Sequence, residues 1–172
     1  TGRIYIPGGG YIFNLGRSSY IKFYKCNFYN SVQGKEYVST TISNVPVSHH
    51  IIYDGCDAQY GGDFIDLYEG HNFWTIRNSE LHNFGNGIYT HTPGNMYNLL
   101  VENNYIHDIG TNNFYHKDAH GVGVQNGINF IIQNNSFHNT GEAITFWSGN
   151  YYMKNNTIRY NITLDLRVKR EH

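Results

Sequence analysis

Apolar and polar residues alternate along almost the whole chain, and the alternation breaks at recurring corners. Six phrases carry the pattern: IKFYKCNFY from Ile21, IIYDGCDAQ from Ile51, WTIRNSELH from Trp74, LVENNYIH from Leu100, FIIQNNSFH from Phe130 and YMKNNTIR from Tyr152. Each runs as a period-two strand into an Asn-Asn-type corner, then an apolar residue, then usually His or Arg. With the second corner residue as marker, the copies register at Cys26, Cys56, Ser79, Asn104, Asn135 and Asn156, in steps of 30, 23, 25, 31 and 21 residues. A drifting period of this length, without a helical stretch, predicts a solenoid of stacked β-coils.

Aligning the copies gives columns. Three residues before the marker stand Phe23, Tyr53, Ile76, Val101, Ile132 and Met153; two after it stand Phe28, Ala58, Leu81, Ile106, Phe137 and Ile158. Both columns are apolar, as expected where each coil stacks on the like position above and below. Directly before the marker stand Asn78, Asn103, Asn134 and Asn155, with Lys25 and Gly55 in the first two copies. Asn tolerates the left-handed backbone of a sharp corner, and its amide can bond the next coil's. We therefore expect the hydrogen-bonded amide ladder in this column. A second strand follows in most copies, with Ile65/Leu67, Ile88/Thr90, Val122/Val124 and Ile144/Phe146 expected inward. Asp66/Tyr68, Tyr89/His91, Gly123/Gln125 and Thr145/Trp147 then face outward.

The chain has 172 residues, enough for one core, and is expected to be a single domain over 1–172. Lys+Arg number 12 against 13 Asp+Glu, which leaves no electrostatic case for nucleic acid, and no apolar run is long enough to span a bilayer. The chain opens directly on strand-like GRIYIPGGGYIF, without an initiator Met or an obvious N-terminal cap. This leads us to expect a segment of a longer, secreted or cell-surface protein. Cys26 and Cys56 share one column, so adjacent coils bring them within disulfide reach, or stack them as a thiol ladder. Sequons begin at Asn134, Asn155 and Asn161; the first two fall in the expected amide ladder, where glycosylation is not expected.

The phrases ENNYIHDIG, GVGVQNGINFIIQNNSFHNTGEAITFW and MKNNTIRYN resemble the right-handed parallel β-helix superfamily of pectate lyases, polygalacturonases and chondroitinase-B-like enzymes. The resemblance covers roughly residues 1–166. It implies an all-β, right-handed single-stranded parallel β-helix of six to seven coils lacking its N-terminal cap, with three short parallel sheets per coil. It also implies action on acidic or neutral polysaccharides. Lyases of the superfamily often use Ca²⁺ or a Lys/Arg pair. This sequence shows no carboxylate cluster for Ca²⁺ and no Asp-Asp arrangement of the polygalacturonase kind, so no cofactor is expected.

Three places could carry chemistry. The column His82, His107, His138 and Arg159 could meet a polyanionic glycan, or be ordinary outward residues stacking across coils. The outward columns Asp66, Tyr89, Gly123, Thr145 and Tyr68, His91, Gln125, Trp147 suit sugars, which offer apolar faces and many hydroxyls. Gly123 should leave a notch there for a sugar ring. The long turn IGTNNFYHKDAH brings His116, Lys117, Asp118 and His120 to the start of the Gly121 strand, in a row with Asp63, Asn86 and Glu142. A transition metal on His116, Asp118 and His120 is a minor alternative.

The leading expectation is a polysaccharide-cleaving enzyme. His120, Asp118 and Glu142 are the acid/base groups, and Tyr89, His91, Gln125, Trp147, Asp66 and Lys117 contact sugar. A hydrolase needs carboxyl groups about 5 to 9.5 Å apart, which Asp118 and Glu142 on adjacent coils could supply. A lyase needs a base, such as His120, Lys117 or Tyr89, and Gln125 or, as the weaker alternative, Ca²⁺ to hold the uronate carboxylate. The alternatives are a non-catalytic glycan-binding, adhesin, tailspike or surface-structural module, and an excised coil array. Monomer and trimer stay equally open.

Overall fold

The computed structural model describes residues 3–5, 15, 17–29, 48–67, 70–91, 96–110, 119–159 and 166–168. Strands follow as β1 (Arg3–Tyr5), β2 (Ser19–Tyr24), β3 (Asn27–Tyr29), β4 (His49–Asp54) and β5 (Asp57–Leu67). The middle of the chain supplies β6 (Asn72–Arg77), β7 (Glu80–Thr90), β8 (Met96–Glu102), β9 (Tyr105–Ile109) and β10 (His120–Val124). Last come β11 (Gly127–Gln133), β12 (Ser136–Thr140), β13 (Glu142–Phe146), β14 (Gly149–Lys154), β15 (Thr157–Arg159) and β16 (Leu166–Val168). Among the described residues there is no helix, and every strand pairing is parallel.

One sheet stacks six strands in the order β14-β11-β8-β6-β4-β2. The remaining strands form a second face and a third. β3, β9, β12, β15 and the first halves of β5 and β7 stack on one; β10, β13, β16 and the second halves of β5 and β7 stack on the other. β5 and β7 pass unbroken round the corner between them. This is the parallel β-helix that the repeat predicts, with one winding per repeat copy.

The apolar columns are registered as the alignment expects: Phe23↔Tyr53↔Ile76↔Val101↔Ile132↔Met153 and Phe28↔Ala58↔Leu81↔Ile106↔Phe137↔Ile158. From Tyr53 to Ile132 and from Phe28 to Phe137 both columns are fully buried. Aromatic rings thicken the lower core, where Phe23 stacks on Tyr53 at 4.6 Å and Tyr53 lies 6.3 Å from Trp74. Ile65, Leu67, Ile88, Thr90, Val122, Val124, Ile144 and Phe146 are all buried, as expected of inward residues.

The corner corrects one expectation. Lys25, Gly55, Asn78, Asn103, Asn134 and Asn155 all adopt left-handed φ between 51° and 68°. That conformation turns their side chains outward, and all four asparagines are exposed. The amide ladder stands one residue later. Asn104 Nδ2 donates to Asn135 Oδ1 at 3.0 Å and Asn135 Nδ2 to Asn156 Oδ1 at 3.1 Å. The Oδ1 atoms of Asn104, Asn135 and Asn156 accept the peptide N–H of Ser79, Asn104 and Asn135 in turn. The file continues downward as hydroxyl and then thiol: Ser79 Oγ accepts the Cys56 N–H at 3.0 Å, and Cys56 and Cys26 are free thiols. Asn134 and Asn155, the sequon asparagines, therefore stand outside the ladder. Asn161 lies outside the described residues.

Candidate active site

The corner at Tyr60 and Asn83, with left-handed φ of 63° and 60°, turns β5 and β7 onto the third face. There the outward column runs Asp66↔Tyr89↔Gly123↔Thr145, and Asp63↔Asn86 and His120↔Glu142 form the row at its edge. His91, Gln125 and Trp147 follow at the strand ends, where the His91 N–H bonds Leu67 O and the Trp147 N–H bonds Val124 O. Tyr68, His116, Lys117 and Asp118 lie outside the described residues.

Tyr89 is the hub of this face. Its ring meets His91 edge-on at 4.7 Å, lies nearly parallel to His120 at 5.6 Å and meets Trp147 edge-on at 5.9 Å. Gln125 Nε2 donates to its hydroxyl at 2.7 Å. Gly123 does not leave an open notch. A Cβ there would stand 2.6 Å from Tyr89 Cδ2 and 3.1 Å from His120 Cγ, so the missing side chain makes room for the protein's own rings.

Two histidine–carboxylate pairs flank Tyr89. His120 Nδ1 is 3.1 Å from Glu142 Oε2 and 3.0 Å from Thr145 Oγ1, and the Thr145 hydroxyl donates to Glu142. The His120 peptide N–H is held by Asn86 Oδ1 at 2.9 Å, and Asn86 Nδ2 donates to Asp63 at 2.8 Å. On the other side His91 Nε2 pairs with Asp66 Oδ1. The pairs differ in reach. His120 and Glu142 side chains are 4% and 2% exposed, whereas His91 is 30% exposed over a 5% exposed Asp66. A ligand on this face meets His91, Tyr89, Gln125 and Trp147 first, while His120 and Glu142 act from beneath.

The column and the row stand in the register that the repeat predicts. The His91–Asp66 pair runs diagonally between neighbouring coils, since in strands residues one pair off in register still meet through long side chains.

Of the two readings of the histidine column, the described residues show the outward stack across coils. His82 and His107 stack at 4.8 Å with rings 6° apart. Each is matched by acceptors: His82 by Asp57 at 3.3 Å and Asn83 Oδ1 at 2.6 Å, His107 by Glu80 at 3.0 Å and Asp108 at 2.8 Å. Burial would raise the Asp108 carboxyl, but the Asn139 and His107 hydrogen bonds and the His107 and His138 charges bring it below its ordinary value. A polyanion would meet carboxylates here as well as imidazoles. Among the described residues no group of three or more His, Cys, Asp or Glu is placed to hold a metal ion.

The sequence profile described as "Right handed beta helix region" matches residues 4–161. No curated protein and no solved structure matches the chain.

Proposed function

The chain belongs to the right-handed β-helix family, and from that premise we propose that it is an enzyme cleaving glycosidic bonds in a polysaccharide laid along the outer face of β5, β7, β10 and β13. The observation that carries this reading is Tyr89 set between two histidine–carboxylate pairs, only one of them reachable. Fold kinship alone would not support an activity.

Among the described residues, both carboxylates flanking Tyr89 are committed to histidines and Asp63 to Asn86. This favours elimination over a hydrolase that needs two carboxyl groups facing the sugar. The Asp66 carboxylate lies against His91 Nε2, which favours the proton on that nitrogen and leaves the lone pair on Nδ1. His91 Nδ1 takes the proton beside the uronate carboxylate, and those electrons form the new C=C bond. The C–O bond to the leaving sugar breaks, and its oxygen takes the Tyr89 hydroxyl proton. His91 then returns its proton to the Tyr89 oxygen, which Gln125 Nε2 stabilises meanwhile. His120, Glu142 and Thr145 position the Tyr89 ring, and Trp147 offers a sugar face.

A glycan-binding module without turnover is the second reading. It is favoured by the half-buried Tyr89 and Trp147 rings at right angles, which also suit sugar stacking without chemistry. Incubation with uronate and neutral glycans separates the two. New reducing ends together with ultraviolet absorbance from an unsaturated product support elimination. Reducing ends alone overturn the mechanism, and binding without product overturns the enzyme.

A further inference from the structure

The six-stranded sheet presents three outward columns, on a different face from the proposed active site. The middle column runs Lys22, Ile52, Thr75, Leu100, Ile131, Tyr152; beside it runs Tyr24, Asp54, Arg77, Glu102, Gln133, Lys154. On the other side stand the rings of Tyr20, His50 and Phe73 at 4.7 Å steps, followed by Asn98 and Asn129, where Asn129 Nδ2 donates to Asn98 Oδ1. Of the six exposed large hydrophobic side chains among the described residues, five lie on this face: Tyr20, Tyr24, Phe73, Ile131 and Tyr152. Exposed apolar side chains gathered on one face beside a charged column are the ordinary mark of an interface.

We propose that this face binds a second copy of the chain, sheet against sheet with coil axes antiparallel, about a two-fold axis along the strands between β6 and β8. Such an axis leaves each column facing itself in reverse order, and all three columns are complementary under that reversal. In the charged column the bonded Asp54–Arg77 pair of one chain faces the bonded Glu102–Gln133 pair of its partner, the Arg77 guanidinium against the partner's Glu102, and Tyr24 faces the partner's Lys154. In the middle column Thr75 meets the partner's Leu100, Ile52 the partner's Ile131 and Lys22 the ring of the partner's Tyr152. In the third, Phe73 and His50 meet the amides of the partner's Asn98 and Asn129. Every contact occurs twice, as an isologous interface requires. Parallel coil axes instead put Lys22 on the partner's Lys22, and Tyr152 on the partner's Tyr152.

Six strands at about 4.8 Å and about five residues at about 3.3 Å give a face near 500 Å². About 1,000 Å² in total is the lower edge of specific interfaces, so a weak, concentration-dependent dimer is expected. Ile131 and Glu102 lie on the surface, and changing them leaves the core and the proposed active site untouched.

The test is sedimentation of the 172-residue chain across the micromolar range, with far-UV circular dichroism and thermal unfolding as fold controls. The native chain shows a monomer–dimer equilibrium. Ile131→Lys and, separately, Glu102→Arg weaken it at least tenfold with the fold controls unchanged. In a Cys26→Ser background, a mixture of Ile52→Cys and Ile131→Cys chains forms a disulfide between the two kinds of chain, and neither links to itself. A monomer at every concentration, including one that binds another protein or a glycan on this face, overturns the proposal. So does a dimer indifferent to both substitutions, or self-linking of Ile131→Cys.

Discussion

Two regions of the same stack use repetition in opposite ways. At the corner after β2, β4, β6, β8, β11 and β14, the residues Cys26, Cys56, Ser79, Asn104, Asn135 and Asn156 stand over one another. From Cys56 to Asn135, each peptide N–H is held by a side chain of the next coil. On the outer face of β5, β7, β10 and β13 the stacked residues are Asp66, Tyr89, Gly123 and Thr145, unlike in every coil. Their contacts run diagonally to the neighbouring coil, to His91, Gln125 and His120. Like over like satisfies buried backbone groups and holds the coils in register. Unlike over unlike leaves donors, acceptors and rings at different depths, which is what a site requires.

The comparison is tested most severely at Asn135. Asn135→Ala removes the acceptor of the buried Asn104 N–H and a donor to Val101 O, and opens a cavity. At about 1–3 kcal/mol per stranded buried group, a loss of about 3–5 kcal/mol is expected, read as a lowered urea midpoint. A loss below about 1 kcal/mol would show that the file is not what holds the corner.

Next comes acid. His71 is 1% exposed beneath β6, with Nδ1 2.8 Å from Ser48 Oγ, and burial pushes it down to about 4 despite the Ser48 backbone bond. The unfolded chain takes up this proton near pH 6.5 and the folded chain only near 4, so stability rises with pH between them. Stability is intact above about pH 6.5 and falls by up to about 3 kcal/mol as pH drops toward 4. Asp54 stays ionised throughout this window, because hydrogen bonds from Arg77, Asn78 and Lys22 hold it far below the usual carboxylate range. Urea titrations at several pH values check this, and His71→Gln should flatten the slope.

Gly123→Ala sharpens the contrast on the face. Its Cβ collides with Tyr89 and His120, so a cost of about 1–2 kcal/mol is expected, with glycan turnover reduced at least tenfold. The smallest effect on stability belongs to Tyr89→Phe, under about 1 kcal/mol, since only the bond to Gln125 is lost. Turnover should nevertheless disappear while glycan binding persists. Retained turnover removes Tyr89 from the mechanism.

Much of this was legible in the order of residues. The six copies, both apolar core columns, the inward and outward sets of the second strand, and the row Asp63, Asn86, His120, Glu142 all follow from period-two alternation counted from one marker. The ladder was misplaced by one residue because Asn-Asn presents two equal candidates. The left-handed turn at the first exposes it and buries the second. The charged column from Asp54 to Lys154 was equally countable, yet its significance lies in reversal about a midpoint, which no single repeat displays. Asp118, Lys117 and His116 lie on the long turn that alternation does not index.

By itself the sequence determined which side chains lie over one another, because parallel strands stack at one spacing and a coil repeats its corners. Only the tertiary structure decided which neighbours bond across a coil, that Tyr89 fills the space over Gly123, and that His91 rather than His120 is within a ligand's reach. Those outcomes depend on side-chain rotamers and on depth beneath the surface, and a linear period carries information about neither.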